Sequence, residues 1–342
     1  MSTTITLTEN DEGSTGTSQM RIPVIDLGAS EEQIVEELMG ALTTVGFATL
    51  VNHGLPSDLL STTFRKSKLF FDLPAATKQK YKFQGSESNR GYIGVGSETL
   101  DVVEGTNTPD ENFMYKESLE IGKEDEPGFH NEWPDELRQT GFRDHMLMYF
   151  NTMDALNLKI MRWIGIGLKL EDPNYLIDRC NGQHENLRLL HYPETKDSSV
   201  SRANLHTDYG TLTLLAQDQV GGLQVLTLEG RWIDVTPVAN SIILNVGEML
   251  MRWSNDVLKA TLHQVRAPEK QEDKKNGKSV IPERYSIAFF CNPNKDTVLR
   301  CLDPCCSTDQ PAKYDPINAH EYITQRLSDT IKDPVKATVA GS

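Results

Sequence analysis

The chain is long and acidic. Its 342 residues are enough for one large domain or two with a substantial core, and its net charge of −15 repels a polyanion such as DNA on average. The sequence contains no Lys- or Arg-rich run of the kind that would predict nucleic-acid binding. No uncharged apolar stretch approaches the roughly 18 residues that a membrane span needs.

The two ends of the chain show no targeting pattern. Residues 1–20 are rich in Ser and Thr, contain no Lys or Arg and have no apolar core, so we expect a disordered tail rather than a targeting signal. The last four residues, Val339 to Ser342, match no lipidation or peroxisomal signal. A cytoplasmic location is therefore the expectation, and no feature indicates an obligate protein partner.

The chain has five cysteines, an odd number that argues against a disulfide framework. Cys301, Cys305 and Cys306 cluster near the end. A thiolate metal site would need a fourth ligand and a different spacing. We therefore interpret the three as reduced thiols on a loop.

Apolar residues in the first half recur at helical spacing. Ser30 followed by Gln33 resembles a capping box and opens the first predicted helix. Pro56 opens a second helix that runs to about Phe71, and a third runs from about residue 142 to 170. Residues 85–134 show little periodicity and predict either a lid over a binding site or a solvated excursion.

The pattern changes near Asn186, where short β-rich runs separated by turn signals begin. Runs of this length and spacing predict a sandwich or jelly roll, and residues 269–279 an exposed loop between strands. A last helix, about 317–331, is expected to pack on the outside. The predicted strands are Leu187–His191, Thr211–Gln217, Leu223–Thr227, Trp232–Val235, Ser241–Val246, His263–Ala267, Tyr285–Cys291 and Thr297–Leu302.

The predicted fold class is therefore α+β, with a double-stranded β-helix (jelly-roll) core wrapped by N-terminal helices and a C-terminal helix. The expected organisation is a tail at 1–20, a helical region at 21–185 that wraps the core, the jelly-roll core at 186–305, and a C-terminal helix and tail at 306–342. We expect the helical region to be a wrapper and not an independent domain.

Two histidines and one aspartate carry the chemistry. His206 and Asp208 are two residues apart, so on a strand both side chains would point the same way, and His263 would come from another strand. Two imidazoles and one carboxylate on one face of a metal leave the other positions open, which is the arrangement of non-haem Fe(II) oxygenases. Arg284 follows 21 residues after His263, and its guanidinium could hold a carboxylate bidentately, with Ser286 on the same strand face.

This ordered set resembles the Fe(II)/2-oxoglutarate-dependent dioxygenases of the isopenicillin N synthase-like group. Within that family, longer segments are similar to the fungal thymine dioxygenases. Those segments are Asn89 to Tyr92, Leu187 to Pro193, His206 to Gly210, Arg252 to Asp256 and Arg284 to Asn294.

The resemblance implies Fe(II) bound by His206, Asp208 and His263, with 2-oxoglutarate and O2 as cosubstrates and ascorbate as a stimulant. It assigns 2-oxoglutarate to Arg284, Ser286 and Tyr192. Decarboxylation of 2-oxoglutarate to succinate and CO2 would be coupled to hydroxylation of a small planar molecule, first of all the methyl group of thymine. The substrate residues that it implies are Arg188, Leu190, Tyr209, Phe290 and Asn292.

Three alternatives stay open. The same chemistry, as a hydroxylase or desaturase, could act on a secondary metabolite. A zinc hydrolase could also use two histidines and a carboxylate, although Arg284 would then have no carboxylate to hold. A non-enzymatic binding protein on the same scaffold is the third.

Overall fold

The computed structural model describes residues 21–97, 114–197, 201–268, 270–272 and 279–330. The predicted tails therefore lie outside the described residues. None of the helices in the described ranges is long and apolar enough to cross a membrane.

The described residues form sixteen strands. In chain order these are β1 (Val24–Asp26), β2 (Phe47–Val51), β3 (Gly91–Ile93), β4 (Glu117–Gly122), β5 (Asn186–Tyr192), β6 (Ala203–His206), β7 (Leu212–Gln217), β8 (Leu223–Leu226), β9 (Trp232–Asp234), β10 (Ile242–Val246), β11 (His263–Val265), β12 (Gln271–Glu272), β13 (Ser279–Val280), β14 (Arg284–Cys291), β15 (Val298–Leu299) and β16 (Ile317–Asn318). The α-helices are α1 (Glu31–Thr44), α2 (Leu59–Phe71), α3 (Ala75–Lys78), α4 (Phe142–Gly167), α5 (Glu248–Trp253) and α6 (Ala319–Thr330).

Two sheets make up the core. The larger has eight strands in the order β1-β2-β10-β7-β14-β5-β4-β3, and the smaller has four in the order β6-β11-β8-β9. Phe47, Leu190 and Ile243 of the large sheet share one buried cluster with Val225 and Val265 of the small sheet. This double-sheet core confirms the predicted jelly roll and the α+β class.

The helices cover the other face of the large sheet. Leu214 of β7 and Phe289 of β14 belong to a second apolar cluster together with Leu38 of α1 and Ile160 of α4. Neighbouring residues of β14 therefore face opposite layers, as the two-residue period of a strand requires. This alternation places Arg284, Ser286, Ala288 and Phe290 on the inner face, as predicted.

The three N-terminal helices form where the periodicity predicts them. Ser30 caps α1, its side chain accepting a hydrogen bond from the backbone N–H of Gln33 at 3.3 Å. The capping box is incomplete, because the Gln33 amide donates to Glu37 at 2.9 Å instead. α2 ends at Phe71, and Pro74 directly precedes the short α3.

All eight predicted strands are present, with shifts of a few residues at their ends. The description of residues 21–185 as helical was too simple, since β1 to β4 extend the large sheet. Two of these strands, β3 and β4, lie in the segment predicted as a lid or solvated excursion. They are short, and β4 is buried along its whole length, so neither shows the alternation that marks a half-buried strand.

The loop predicted at 269–279 instead contains the two strands of a small hairpin, β12 and β13, and residues 273–278 lie outside the described ranges. All five cysteines are free thiols, with Cys301 and Cys305 buried. Within the described ranges, no Cys belongs to a cluster of three or more His, Cys, Asp or Glu side chains able to hold a metal.

Candidate active site

The three predicted metal ligands converge between the two sheets. Paired antiparallel strands bring His263 of β11 directly opposite His206 of β6. The Asp208 Oδ1 atom lies 3.8 Å from the Nε2 atom of each histidine. The three candidate ligand atoms all lie within 4.8 Å of one another, close enough to share one ion.

Asp208 does not reach the site from the same strand face as His206, as the sequence analysis expected. The strand β6 ends at His206, so Asp208 lies in the turn beyond it and does not share the strand face. The backbone oxygen of Asp208 accepts a hydrogen bond at 2.7 Å from the N–H of Glu248, the first residue of α5. The turn that carries Asp208 is therefore fixed against a helix that the sequence analysis missed.

Hydrogen bonds orient both imidazoles. The Nδ1 atom of His206 lies 2.7 Å from the carbonyl oxygen of Asn204, and that of His263 lies 3.0 Å from the carbonyl oxygen of Thr261. A carbonyl only accepts, so both Nδ1 atoms carry the proton, and both Nε2 lone pairs face Asp208. This tautomer is the one that a metal ligand requires.

Asp208 is held in the charged form. Its Oδ2 atom accepts hydrogen bonds from Thr213 at 2.6 Å and Asn245 at 2.7 Å, which leaves Oδ1 for an ion. Burial alone would raise the pKa of Asp208, but the adjacent His263 and His206 and these two hydrogen bonds outweigh it and lower that pKa. Burial, followed by the charge of His263, lowers the pKa of His206 to about 3, so its neutral form prevails at neutral pH.

A cavity of about 80 Å³ adjoins the three ligands and is lined by all three residues predicted to bind 2-oxoglutarate. Arg284 is fully buried there, and its Nη1 atom donates to Ser286 at 3.1 Å. Its Nη2 atom donates at 3.2 Å to Gln217, a residue that the sequence analysis missed. The ring of Tyr192 lies against the guanidinium, with 4.9 Å between the ring centre and the Arg284 carbon.

A second cavity, of about 100 Å³, shares Arg188, Phe290, His206 and Asp208 with the first. Four of the five residues predicted for the substrate line it: Arg188, Tyr209, Phe290 and Asn292. Leu190 does not, because it lies two residues further along β5 and faces the cavity of Arg284 instead.

Two of these side chains are already engaged. The Nε atom of Arg188 lies 2.7 Å from Glu120 Oε1, and its guanidinium lies over the ring of Phe290 at 5.4 Å. The amide nitrogen of Asn292 donates to the carbonyl oxygen of His184 at 3.0 Å. One of its two N–H groups is therefore already used, and its oxygen is the acceptor that it can offer to a ligand.

Several cavity residues were missed. Asn89, Lys116 and Asn186 line the second cavity, and Lys116 borders the first as well. The amide nitrogen of Asn186 donates to the backbone oxygen of Asn89 at 3.0 Å, which turns the Asn186 oxygen away from it. Asn89 lies within one of the segments that carry the family resemblance, and Asn186 directly precedes another. The sequence pattern around a single Asn does not show which way its side chain points.

The C-terminal helix is the largest correction to the expected site. Ile323 and Leu327 of α6 line the second cavity, so the helix does not merely cover the outside. Glu248 accepts hydrogen bonds from Tyr322 and, at 2.8 Å, from Arg326, both on α6. The Arg326 guanidinium also lies 4.5 Å from the centre of the Tyr209 ring.

A larger cleft lies elsewhere. It measures about 1110 Å³, is bordered by Asp172, Arg179 and Asp303, and contains none of the predicted site residues. The site beside His206 is smaller but combines a ligand set with two adjoining cavities. The oriented Nε2 atoms and the free Asp208 oxygen fit Fe(II), since nitrogen and carboxylate donors suit that ion.

Two family models match the chain. Residues 183–293 match the 2OG-Fe(II) oxygenase superfamily, and residues 22–136 match the N-terminal region of a non-haem dioxygenase of morphine synthesis. The chain is 34% identical to proline hydroxylase buaE of Petromyces alliaceus over 88% of this chain and 94% of that protein. It is 30% identical to the 2-oxoglutarate-dependent dioxygenase ecdK of Aspergillus rugulosus, over 84% and 90%.

The chain is also similar to solved structures. The chain is 37% identical to Neurospora crassa thymine 7-hydroxylase bound to α-ketoglutarate, with a TM-score of 0.81 over 92% of this chain and 98% of that one. The same enzyme has been solved with thymine as well, and that structure matches with a TM-score of 0.80.

Proposed function

The chain belongs to the 2OG-Fe(II) oxygenase superfamily and is a 2-oxoglutarate-dependent dioxygenase, and we propose that it hydroxylates the methyl group of thymine. This membership favours Fe(II) chemistry over the zinc hydrolase and the non-enzymatic binding protein that the sequence left open. The observation that carries the proposal is the pair of adjoining cavities that share His206, Asp208 and Phe290. Arg284 lines one cavity, and Tyr209 and Asn292 line the other.

Charge and geometry support the roles proposed for the cosubstrate residues. His206, Asp208 and His263 would hold the ion, and Arg284 with Ser286 would bind the distal carboxylate of 2-oxoglutarate. Burying that carboxylate without a cation would cost several kcal/mol, and each charge-assisted hydrogen bond contributes about 1.5–3 kcal/mol. When bound, Fe(II) lets O2 oxidise 2-oxoglutarate to succinate and CO2, one oxygen atom entering succinate and the other the substrate's new hydroxyl group.

The second cavity suits a flat ring with polar edges. Phe290 offers an aromatic face for stacking, and the Arg188 guanidinium beside it can donate to a ring carbonyl. The oxygens of Asn186 and Asn292 would accept from ring N–H groups, because both amide nitrogens already donate to backbone carbonyls. Ile323 and Leu327 would exclude water from the reacting methyl group. Thymine presents this combination of a planar ring, N–H donors, carbonyl acceptors and one methyl group.

A second candidate keeps the chemistry and changes the substrate to a secondary metabolite. The observation that favours it is the set of fungal relatives at 30–34% identity, which includes a proline hydroxylase. Leu190, assigned to thymine by resemblance, lines the other cavity, which removes one contact from the thymine proposal. A cytoplasmic location and the absence of a nucleic-acid partner stay predictions.

The test is thymine-dependent succinate release. The protein would be incubated with Fe(II), ascorbate, 2-oxoglutarate and O2, with and without thymine, and then with a panel of small metabolites that includes proline. We expect thymine to raise succinate release and to yield a hydroxylated product in equal amount. Equal succinate with and without thymine would exclude it, and stimulation by another panel member would identify the second candidate.

A further inference from the structure

A second arginine lies behind the site proposed for the distal carboxylate. Arg202 is fully buried, like Arg284. The two guanidinium carbons lie 5.8 and 4.9 Å from the centre of the Tyr192 ring, so this one ring contacts both cations. Arg202 lines neither cavity, whereas Arg284 lines the first, so Arg202 lies behind Arg284 as seen from that cavity.

The hydrogen bonds of Arg202 are largely unmade. Its Nη2 atom donates to the carbonyl oxygen of Pro282 at 2.6 Å, while its Nε and Nη1 atoms are buried and have no hydrogen-bond partner. The carboxylate of Asp218 acts on Arg202 through its charge, but its two oxygens accept hydrogen bonds from the backbone N–H groups of Tyr285 and Val220. Within the described part of the chain, no salt bridge joins Arg202 or Arg284 to a carboxylate.

Two buried cations, neither of which forms a salt bridge with a described carboxylate, are an unfavourable arrangement. Like charges repel strongly where water is excluded, and a buried charge is normally paired. Burial, followed by the charge of Arg284, lowers the pKa of the Arg202 guanidinium. A dianionic ligand in the adjoining cavity would relieve this repulsion, because its distal carboxylate would lie against Arg284 with Arg202 behind it.

We propose that Arg202 is a positioning residue that, acting through Arg284 and Tyr192, makes the cavity select 2-oxo acids with a distal carboxylate. The inference rests on the role proposed above for Arg284 but is independent of the prime substrate. It differs from a purely structural role, in which Arg202 would only fasten the backbone at Pro282. A structural role would affect every ligand of the cavity alike, whereas an electrostatic role affects only ligands that carry the distal charge.

The test compares two ligands that differ only at the distal carboxylate. Binding of 2-oxoglutarate and of 2-oxopentanoate, which has a methyl group in place of the distal carboxylate, would be measured by calorimetry on the Mn(II)-loaded protein. The variants are Arg202→Met and Arg202→Lys. Arg231→Met is the matched control, because Arg231 is exposed, lines neither cavity and forms a surface ion pair with Glu229 at 3.6 Å. The assay needs no turnover and no thymine, so failure of the thymine proposal would not affect it.

We expect Arg202→Met to weaken 2-oxoglutarate binding about tenfold, the size of one lost charge-assisted interaction. Binding of 2-oxopentanoate should stay within about twofold of the wild type, and Arg202→Lys should recover most of the loss because it keeps the charge. Equal weakening of both ligands, or of neither, would overturn the proposal. Should Arg202→Met fail to fold, equal 2-oxoglutarate affinities for Arg202→Lys and Arg202→Gln would overturn it instead.

Discussion

The cavity lined by Arg284 and the cavity lined by Tyr209 adjoin at His206 and Asp208, two of the proposed metal ligands, but much of their walls comes from different parts of the fold. Strands of the two sheets supply most of the first wall, including Tyr192, Arg284 and Ser286. The second adds Asn89 from a turn, Tyr209 from a loop and residues of α6. The proposed cosubstrate cavity therefore depends on strand register, while the proposed substrate cavity also depends on elements that pack around the sheets.

The largest expected effect is at the metal. Asp208→Ala removes the carboxylate proposed to bind the metal and leaves Thr213 and Asn245 without their acceptor. Succinate release should fall below detection with any prime substrate, while the far-ultraviolet circular dichroism spectrum stays that of the wild type. Asp234→Ala, on the exposed edge strand β9, is the control and should keep full activity. Substantial turnover by Asp208→Ala would contradict its role as a ligand.

The next largest effect is expected at Arg284, whose loss should affect 2-oxoglutarate binding far more than binding of the prime substrate. Arg284→Ala removes the cation beside Ser286 and Gln217 and should raise the KM for 2-oxoglutarate by about 10- to 100-fold, since charge-assisted hydrogen bonds contribute about 1.5–3 kcal/mol each. The KM for the prime substrate should change far less. Steady-state kinetics with each substrate varied in turn would measure both values, and an unchanged 2-oxoglutarate KM would refute the assignment.

A smaller effect is expected beside the metal. Thr213→Val keeps the shape of the side chain but removes its hydrogen bond to Asp208. Residues that orient ligands typically contribute about 10- to 100-fold in metal affinity, and we expect the lower end here because Asn245 still holds the same oxygen. Titration with Mn(II) measures the change, and an unaltered affinity would show that Asn245 alone is sufficient.

Phe290→Ala tests the substrate cavity. Loss of the stacking face should lower turnover of the prime substrate about tenfold, because an aromatic pair adds about 0.5–1.5 kcal/mol beyond the apolar area that is lost with the ring. Decarboxylation of 2-oxoglutarate without the substrate should fall much less. Comparing succinate with hydroxylated product measures the coupling, and an equal fall in both would show that Phe290 has no specific role toward the substrate.

The smallest effect is expected at α6. Arg326→Met breaks the contacts with Glu248 and with the ring of Tyr209. Arg326 is partly exposed, so the ion pair contributes little, and we expect a few-fold rise in the KM for the prime substrate with an unchanged KM for 2-oxoglutarate. A change in the 2-oxoglutarate KM of the same size would remove the distinction between the two cavities.

The difference between the two cavities also explains which site residues the sequence could predict. His206, Asp208, His263 and Arg284 are residue types with few other roles in combination, and strand periodicity placed Arg284, Ser286 and Phe290 on one face. Asn186 and Lys116 have no such signature, because their roles depend on which elements meet at the cavity.

The predicted places of Leu190 and of α6 were wrong for a different physical reason. Leu190 shares a strand face with Arg188, so periodicity could not tell which of two adjoining cavities it lines. The helix α6 was predicted within two residues of its true start, but its docking depends on Glu248, more than 70 residues earlier in the chain. Side-chain pairs so far apart in the sequence cannot be inferred from local pattern.

One spectroscopic measurement tests the central claim, that three ligands and one buried arginine assemble an Fe(II) site for 2-oxoglutarate. Anaerobic addition of Fe(II) and then 2-oxoglutarate should produce a weak visible charge-transfer band. The band should be absent in Asp208→Ala and should need far more 2-oxoglutarate in Arg284→Ala. A wild-type protein that shows no band at saturating 2-oxoglutarate, or a band indifferent to both substitutions, would contradict the account.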